Sequence, residues 1–400
     1  MPKRKTTKPR TANKINRHGT VITVSVLAVM VISVLAINKS SPFAYSLYNT
    51  DIISYEKGTV SVVLEEYLES DPDLPGQKLG YQKIRVKLKN GPMRGEEIEL
   101  EHYLYTTHSV LARKGLSVII KADRPENVEP YYSVYNYDRV PGLSTAIIIF
   151  VAFIFLVGGL KGLRSLLGLA VSLFFILVFL LPAICRGWSP VLVTLVTGTV
   201  IVSFSLLLLN GFSRKTFTAL AATVSGVLLS GFFFALVSAL TSLTGYNIDE
   251  AEALIMVSRE TGLRIGEVLF AGVIIASLGA VMDTTVSLAA AMYEIEEQSP
   301  GISPRKMFLS GMTMGRDIIG ANCMTLILAF VGSSLAALLS LAAYGTQFNQ
   351  LISSNYLAVE VAYAFTGGLA VVVAVPITAG LCVIQSKNGK KTIHTRKSRK

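Results

Sequence analysis

The chain has 400 residues, of which 51% are hydrophobic and only 16% are charged, whereas soluble domains carry about 25% charged residues. Several apolar runs reach the roughly 18 residues at which a segment can cross a bilayer. The net charge of +11 comes from two tails, because residues 1–37 and 387–400 each contain seven Lys or Arg and no acidic residue. Composition therefore excludes an ordinary soluble protein. The position of the charge indicates contact with membrane lipid and gives no sign of nucleic-acid binding.

The first predicted elements are a basic cytoplasmic tail over residues 1–19 and a transmembrane anchor helix over residues 20–37. A basic stretch followed by an apolar run is also typical of a signal peptide. However, this run is longer than a usual signal-peptide core, and Asn38 and Lys39 follow it where a cleavage site would have small residues. The sequence therefore favours an uncleaved anchor.

Residues 38–139 predict an external domain rich in β-strands. Apolar and other residues alternate with a period of two in 58–64, 82–88 and 97–100, and a short apolar run covers 116–120. Asn90-Gly91 and Gly95 predict turns. About 100 residues with four to six short strands predict a small all-β barrel of the OB or SH3 type. The interleaved charges, together with His102 and His108, predict a solvated face without a catalytic centre.

Residues 140–386 predict a core of seven membrane helices, which makes eight spans with the anchor. Basic residues fall in alternate loops, and by the positive-inside rule both termini are then cytoplasmic. We therefore expect an α-helical polytopic protein in the plasma membrane, with a basic cytoplasmic tail over 387–400. The seven apolar runs are 140–160, 165–184, 191–209, 217–243, 265–292, 318–343 and 359–384.

One predicted span contains an ionisable residue far from either end. Asp283 lies about 16 Å along the sixth span from Glu294 at its cytoplasmic end, and a carboxylate at that depth costs at least about 2.5 kcal/mol. An ionisable group there indicates a functional site, with a purely structural contact between helices as the alternative. Small and polar residues recur around it at helical spacing and predict one face that another helix approaches closely or that lines water, made of Ala276, Gly279, Ala280, Asp283, Ser287, Ala290 and Glu294.

The next segment supplies further polar residues. Ser303 and Pro304 predict the N-cap and first residue of a helix. Arg316 cannot lose its charge, so we expect it to pair with Asp283 across antiparallel helices, with lipid phosphate as the alternative partner. The predicted intramembrane site comprises Asp283, Arg316, Asp317, Asn322, Thr325, Ser287 and Glu294, and the predicted helix-packing glycines are Gly279, Gly311, Gly315 and Gly320.

No catalytic residue, metal site or cofactor is predicted. The three cysteines form no zinc-binding pattern, all four histidines lie outside the apolar segments, and the chain has no Walker phosphate-binding loop. Two membrane carboxylates are also a feature of intramembrane aspartyl proteases, which need a Gly-x-Gly-Asp sequence. Here Arg316 precedes Asp317 and would hold it ionised, whereas a working pair of carboxyls shares one proton. The sequence therefore disfavours an enzyme.

Four segments, 279–283, 291–296, 310–320 and 325–332, resemble the YibE/F family of bacterial multispanning membrane proteins. The resemblance is to the form with an external N-terminal β-domain. The family commonly has Asn and Tyr where this chain has Met324 and Phe330. The resemblance implies architecture more than activity, since the family brings no settled chemistry. It also implies a partner, a related membrane protein without the external domain, in a hetero-oligomer. The most specific segments are 279–283 (GAVMD), 291–296 (AMYEIE), 310–320 (SGMTMGRDIIG) and 325–332 (TLILAFVG).

Two functions follow as hypotheses. The first is a permease or transporter-like subunit with a polar site between spans six and seven, because buried ionisable groups commonly mark ion or substrate paths. The second is a non-transporting envelope scaffold or sensor, whose β-domain binds a partner or a cell-wall ligand by a sheet edge or barrel face.

Overall fold

A computed structural model of the chain describes residues 25–39, 52–108, 110–246 and 251–397, with side chains described as far as Ser386. The predicted tail over residues 1–19 lies outside these ranges. The chain divides into two compact units, Tyr45–Val157 and a second made of Met1–Ala44 with Gly158–Lys400.

The N-terminal β-domain contains a five-stranded antiparallel sheet that curves into a half-barrel, in the order β3-β2-β1-β4-β5. Its strands are β1 (Ile53–Ser70), β2 (Lys78–Leu88), β3 (Glu97–Leu104), β4 (Ser117–Asp123) and β5 (Tyr131–Tyr137). Three of the four segments with predicted strand patterns fall within β1, β2 and β3, and the run 116–120 overlaps β4 from Ser117 onward; β5 was not predicted. The all-β prediction is therefore confirmed at the level of an antiparallel half-barrel.

The alternation seen in the sequence becomes an inward and an outward face of the sheet. In β2, Ile84, Val86 and Leu88 are at most 1% exposed, as expected when every second side chain points to the core. In β3 the inward position after Leu100 is taken by His102, which is 2% exposed. The prediction that His102 lies on a solvated face is therefore wrong, because the pleat places it on the same side as its apolar neighbours.

Beyond the sheet, the described chain is helical. Six helices are long and apolar enough to cross a membrane, which supports a multi-pass membrane protein. In chain order the helices are α1 (Ser25–Lys39), α2 (Val140–Cys185), α3 (Pro190–Asn210), α4 (Arg214–Thr241), α5 (Ala251–Thr261), α6 (Val268–Gln298), α7 (Pro304–Ser333), α8 (Leu335–Ala343), α9 (Phe348–Ile352) and α10 (Asn355–Lys397); the six are α2, α3, α4, α6, α7 and α10.

Three predicted spans differ from the helices observed. The runs 140–160 and 165–184 are joined in α2, which departs from α-helical geometry at Gly159, where φ is 54° and ψ is −144°, and in a π-helical segment over Phe175–Leu180. The run 318–343 does not form one helix. Instead, α7 begins at Pro304, with the Ser303 side chain accepting a hydrogen bond from the Lys306 backbone N–H, and it ends at Ser333. The N-cap prediction is confirmed. The apolar run 318–343 gave the wrong start because the first turns of α7 are polar, and it gave the wrong end because its last residues belong to α8.

The anchor helix α1 packs into the helical core. Val34 is 6% exposed in the same cluster as Phe175, Ile201 and Met292. At its end Asn38 donates a hydrogen bond of 2.6 Å to the carbonyl of Val178. That carbonyl lies four residues before Pro182, which has no N–H to offer it. The amide side chain of Asn38 thus satisfies a backbone acceptor that proline leaves open.

Candidate functional site

The sixth and seventh predicted spans, α6 and α7, pack as an antiparallel pair. Asn322 donates a hydrogen bond of 2.7 Å from its side-chain amide to the hydroxyl of Thr284. Nearer the cytoplasmic end predicted for α6, Gly311 lies against Met292, so closely that a β-carbon would come within 2.7 Å of the Met292 sulfur. These two contacts fix the register, and Asn322 is the one predicted site residue that joins the two helices.

The predicted glycines divide into two groups. A β-carbon at Gly315 would overlap the Val375 side chain of α10, and one at Gly311 would also come within 3.2 Å of Ala379. Gly279 and Gly320, in contrast, would meet nothing within 4 Å. Two of the four glycines therefore permit close helix packing within the chain, and the other two lie on its open surface.

The small and polar face of α6 also points outward. Gly279, Asp283, Ser287, Ala290 and Glu294 are all exposed on the surface of the single chain. The opposite face of α6 is buried and includes Thr285, Ser277 and Leu288. The stripe predicted from helical spacing is therefore a real face, and it looks away from the rest of this chain.

Asp283 and Arg316 form no ion pair, although both are described in full and both are exposed. The expected charge pair is thus not made. The register explains this, because interpolation between the Asn322–Thr284 and Gly311–Met292 contacts places Arg316 level with about Leu288. That is roughly 7 Å along the axis from Asp283 at 1.5 Å per residue.

The other predicted residues lie around the same open surface. Asp317 and Thr325 are exposed on α7, where the Thr325 hydroxyl donates to the carbonyl of Ala321 in its own helix. Glu294 accepts a hydrogen bond from Gln298, one turn further along α6. A groove of about 520 Å³ opens between the end of α6 and the start of α7 and is lined in part by Lys306, Ser310 and Thr313.

The buried face of α6 carries polar contacts that the sequence analysis missed. Each hydroxyl or amide meets another from a neighbouring helix, so these groups tie α6 to α4 and α10 at little cost. Serine and threonine on apolar helices are the signal, but the sequence does not show which ones meet. The contacts are Ser277–Ser230 at 3.1 Å, Thr285–Thr223 at 2.6 Å, Tyr293–Thr218 at 2.9 Å, Tyr293–Gln385 at 2.8 Å and Glu296–Ser386 at 2.6 Å.

Within the described ranges, no group of three His, Cys, Asp or Glu side chains is arranged to hold a metal ion. The chemistry available on the α6–α7 face is that of three carboxylates (Asp283, Glu294 and Asp317), a guanidinium and several hydroxyls. These groups exchange protons or bind ions and polar solutes; none is an activated nucleophile beside a base.

A family model described as YibE/F-like protein matches residues 146–388, which is more than half of the chain. The chain belongs to the YibE/F family. The match covers every helix from the first half of α2 onward and leaves out the β-domain, so the family likeness is narrower than the sequence resemblance had implied. No curated protein and no solved structure matches the chain. The YibE/F assignment therefore rests on the membrane core, which contains Asp283 and Arg316.

Proposed function

We propose that this YibE/F protein is a permease subunit, in which Asp283 takes up and releases a proton along a path on the α6–α7 face. The observation that carries the proposal is an aspartate in mid-helix, on an open face, that forms no ion pair with any residue the structure describes. Such a carboxylate is too costly to leave facing hydrocarbon. Water, or another polar surface, must therefore cover it in the membrane.

The composition of this face supports a path more than a packing surface. Arg316, Asp317 and Thr325 add polar groups along α7, and the groove beside Lys306 opens at the end nearest the basic loop. A face made of small residues also lets a second helix approach closely. We propose that a related membrane protein without the β-domain packs here and encloses the path, which makes the site a shared one.

We further propose eight spans, with both termini in the cytoplasm of a bacterial cell and the chain in its plasma membrane. A straight 46-residue helix would be roughly 69 Å long, about twice the hydrocarbon thickness. The non-helical Gly159 allows α2 to serve as two spans joined at a hairpin. Impermeant thiol labelling from outside should then modify a cysteine placed at residue 90 and spare one at residue 213.

The experiment that tests transport uses membrane vesicles from cells that make the protein, which retain any membrane partner, with a trapped pH-sensitive dye. After an acid pulse outside, vesicles with the wild type should dissipate the pH gradient, and Asp283→Asn should slow this at least about tenfold. Glu297→Gln, an exposed neutralisation at the end of the same helix, is the matched control and should behave as wild type. Wild-type vesicles no leakier than vesicles from cells without the protein would contradict the proposal.

One observation favours the scaffold or sensor as a second candidate. Exposed tyrosines occur on β1, on β3 and directly after β3, where Tyr67, Tyr103 and Tyr105 are 59%, 45% and 60% exposed. Exposed tyrosine is typical of surfaces that bind proteins or sugars, since it offers apolar area and a hydroxyl together. Deleting residues 45–138 should abolish a scaffold function while leaving proton flux intact.

A further inference from the structure

The β-domain has an open groove of about 460 Å³ between the turn that joins β1 to β2 and the segment that precedes β4. Lys78 and Arg113 bring two cations to this groove, and Leu111, Leu116 and Tyr137 give it an apolar wall. Each of these five residues is exposed or half-buried, so a ligand can touch all of them. The volume lies in the range of roughly 300–1,000 Å³ that is typical of pockets for small organic molecules.

Both cations are available to a ligand. Arg113 is exposed and forms no ion pair with any residue that the structure describes. Lys78 donates a hydrogen bond of 3.0 Å from its ammonium to the hydroxyl of Ser70. An ammonium has three donors, so this contact still leaves donors that can point into the groove.

The charge at the groove runs against the composition of the domain. Residues 45–138 contain eleven Lys or Arg and fifteen Asp or Glu, so the domain as a whole is acidic. Yet the lining residues that the structure describes include two cations and no carboxylate. A cleft lined by one sign of charge attracts ligands of the opposite sign, and the groove therefore favours an anion.

The loop that carries the guanidinium is held in place by internal bonds. Gln82 bonds the N–H and the carbonyl of Ala112 at 2.8 and 3.1 Å. Further along, the N–H of Gly115 donates to the carbonyl of Val60 of β1 at 2.8 Å. Arg113 lies between these two attachments, so a ligand need not order the loop when it binds.

We propose that this groove binds a small organic anion, that is, a carboxylate attached to a compact apolar group. The planar guanidinium of Arg113 matches the two oxygens of a carboxylate and can donate to both. The Lys78 ammonium adds a second positive charge. The apolar group lies against Leu111 and Leu116 and is removed from water there.

Other ligand classes fit less well. A metal ion or an organic cation would be repelled by both basic side chains, and a neutral molecule would leave their charge unused. Inorganic phosphate would meet the charges, but it is far smaller than the groove and has no apolar part to place against Leu111 and Leu116.

The inference concerns the β-domain alone and does not rest on the proposed proton path. It names a ligand class for the sensor, which is the second candidate function. Binding is measured without any pH gradient, so a failure of either proposal leaves the other unaffected.

The test measures binding of phenylacetate to the full-length protein in lipid nanodiscs by saturation-transfer NMR, after subtraction of the signal from empty nanodiscs. Phenylacetate joins a carboxylate to one ring, and its aromatic protons are resolved from those of lipid. We expect a saturable signal that isocaproate competes away. Phenethyl alcohol, which has the same ring and no charge, should not compete.

Three variants assign the signal to the groove. Arg113→Gln should weaken binding at least about tenfold, because the carboxylate loses a charged, two-pronged donor. Lys78→Gln should weaken it about threefold, since that ammonium is shared with Ser70. Lys114→Gln is the matched control, because it removes the next cation along the chain, which is exposed and does not line the groove. It should bind as wild type.

Retention of fold is checked separately. Arg113 is exposed and forms no ion pair with any described residue, so Arg113→Gln should leave the melting temperature unchanged and its lost binding reports the site. Four results would overturn the proposal: no saturable signal from the wild type, wild-type affinity in Arg113→Gln, an equal loss in Lys114→Gln, or competition by inorganic phosphate or phenethyl alcohol as effective as by isocaproate.

Discussion

The β-domain and the helical core differ in how their polar side chains are bonded. In the domain, Gln82 is 1% exposed and bonds both the N–H and the carbonyl of Ala112, at 2.8 and 3.1 Å. His102 meets the carbonyl of Val110 at 2.7 Å, and Glu56 accepts from Arg124 at 2.7 Å. In the core, Asp283 and Arg316 form no ion pair with any part of the chain that the structure describes.

Both units keep buried polar atoms that bond to no described residue, such as Glu56 Oε2 in the domain and Thr194 Oγ1 in the core, so the difference lies in the ionisable groups of the open face. A water-soluble domain must satisfy most buried polar groups internally, because each unmet one weakens the fold. The core satisfies its interior in the same way, through the hydroxyl contacts of α6, but leaves ionisable groups on its open faces and grooves. We infer that the domain is held by its own contacts and that the core is completed by water, a ligand or another protein.

The strongest test of this difference is to express the β-domain without the helical core. Residues 45–138 expressed alone should fold as a monomeric β-rich domain that needs neither metal nor reducing agent, since the segment contains no cysteine. Circular dichroism and size-exclusion chromatography check this. A disordered product would show that the domain depends on the membrane core.

Within the core, two glycines on one helix distinguish packed from open surface. Gly315→Leu should destabilise the protein by about 3 kcal/mol or more, because its side chain would overlap Val375 of α10. Gly320→Leu meets open space and should leave the melting temperature of the purified single chain unchanged. Equal losses in the two variants would show that the packing of α7 is misassigned.

In the external domain, Gln82→Leu should cost about 2–4 kcal/mol of unfolding free energy. The substitution leaves both backbone groups of buried Ala112 without a partner. Lys87→Gln, an exposed change on the same strand, should stay within about 0.5 kcal/mol of wild type. Urea denaturation of the isolated domain measures both, and a neutral Gln82→Leu would contradict the claim that internal bonds hold the domain.

The smallest expected effect is a dependence on pH. Burial lowers the pKa of His102 below its ordinary value of 6.5, so the unfolded chain binds a proton at a pH where the folded domain does not. Stability should therefore be constant above about pH 7 and fall as pH drops below 6.5, by at most about 1.4 kcal/mol per unit. His102→Gln keeps a hydrogen-bond donor and should make stability nearly independent of pH below 6.5. If the slope of stability against pH is unchanged in this variant, the dependence comes from other groups.

Much of the architecture was predictable because it depends on local pattern. Alternation placed Ile84 and Val86 inside, and Ser303 before Pro304 marked the start of α7. The same alternation, continued past Leu100, also places His102 inside. This was missed because a polar side chain is usually expected on the solvated face.

The site was less predictable, because helical spacing identifies a face without showing what lies against it. Asp283 was found from its cost in lipid, but its separation from Arg316 depends on the register set by Asn322 and Thr284. Glu360 lies near the start of its helix and was missed, since only the tertiary contacts show that its Oε2 atom is buried.

The central claim is that the α6 face around Asp283 meets water or a polar surface and not lipid tails. It is tested by the reaction of Asp283→Cys with an impermeant, charged thiol reagent, applied to both sides of native membrane vesicles. Leu228→Cys on α4, 54% exposed on the chain surface, is the control for a lipid-facing position, and unsubstituted protein gives the background from native cysteines. We predict that position 283 is labelled well above position 228. This labelling at position 283 should be seen both in the lipid vesicles and after transfer to detergent. Equal, background-level labelling at the two positions in vesicles would contradict the account.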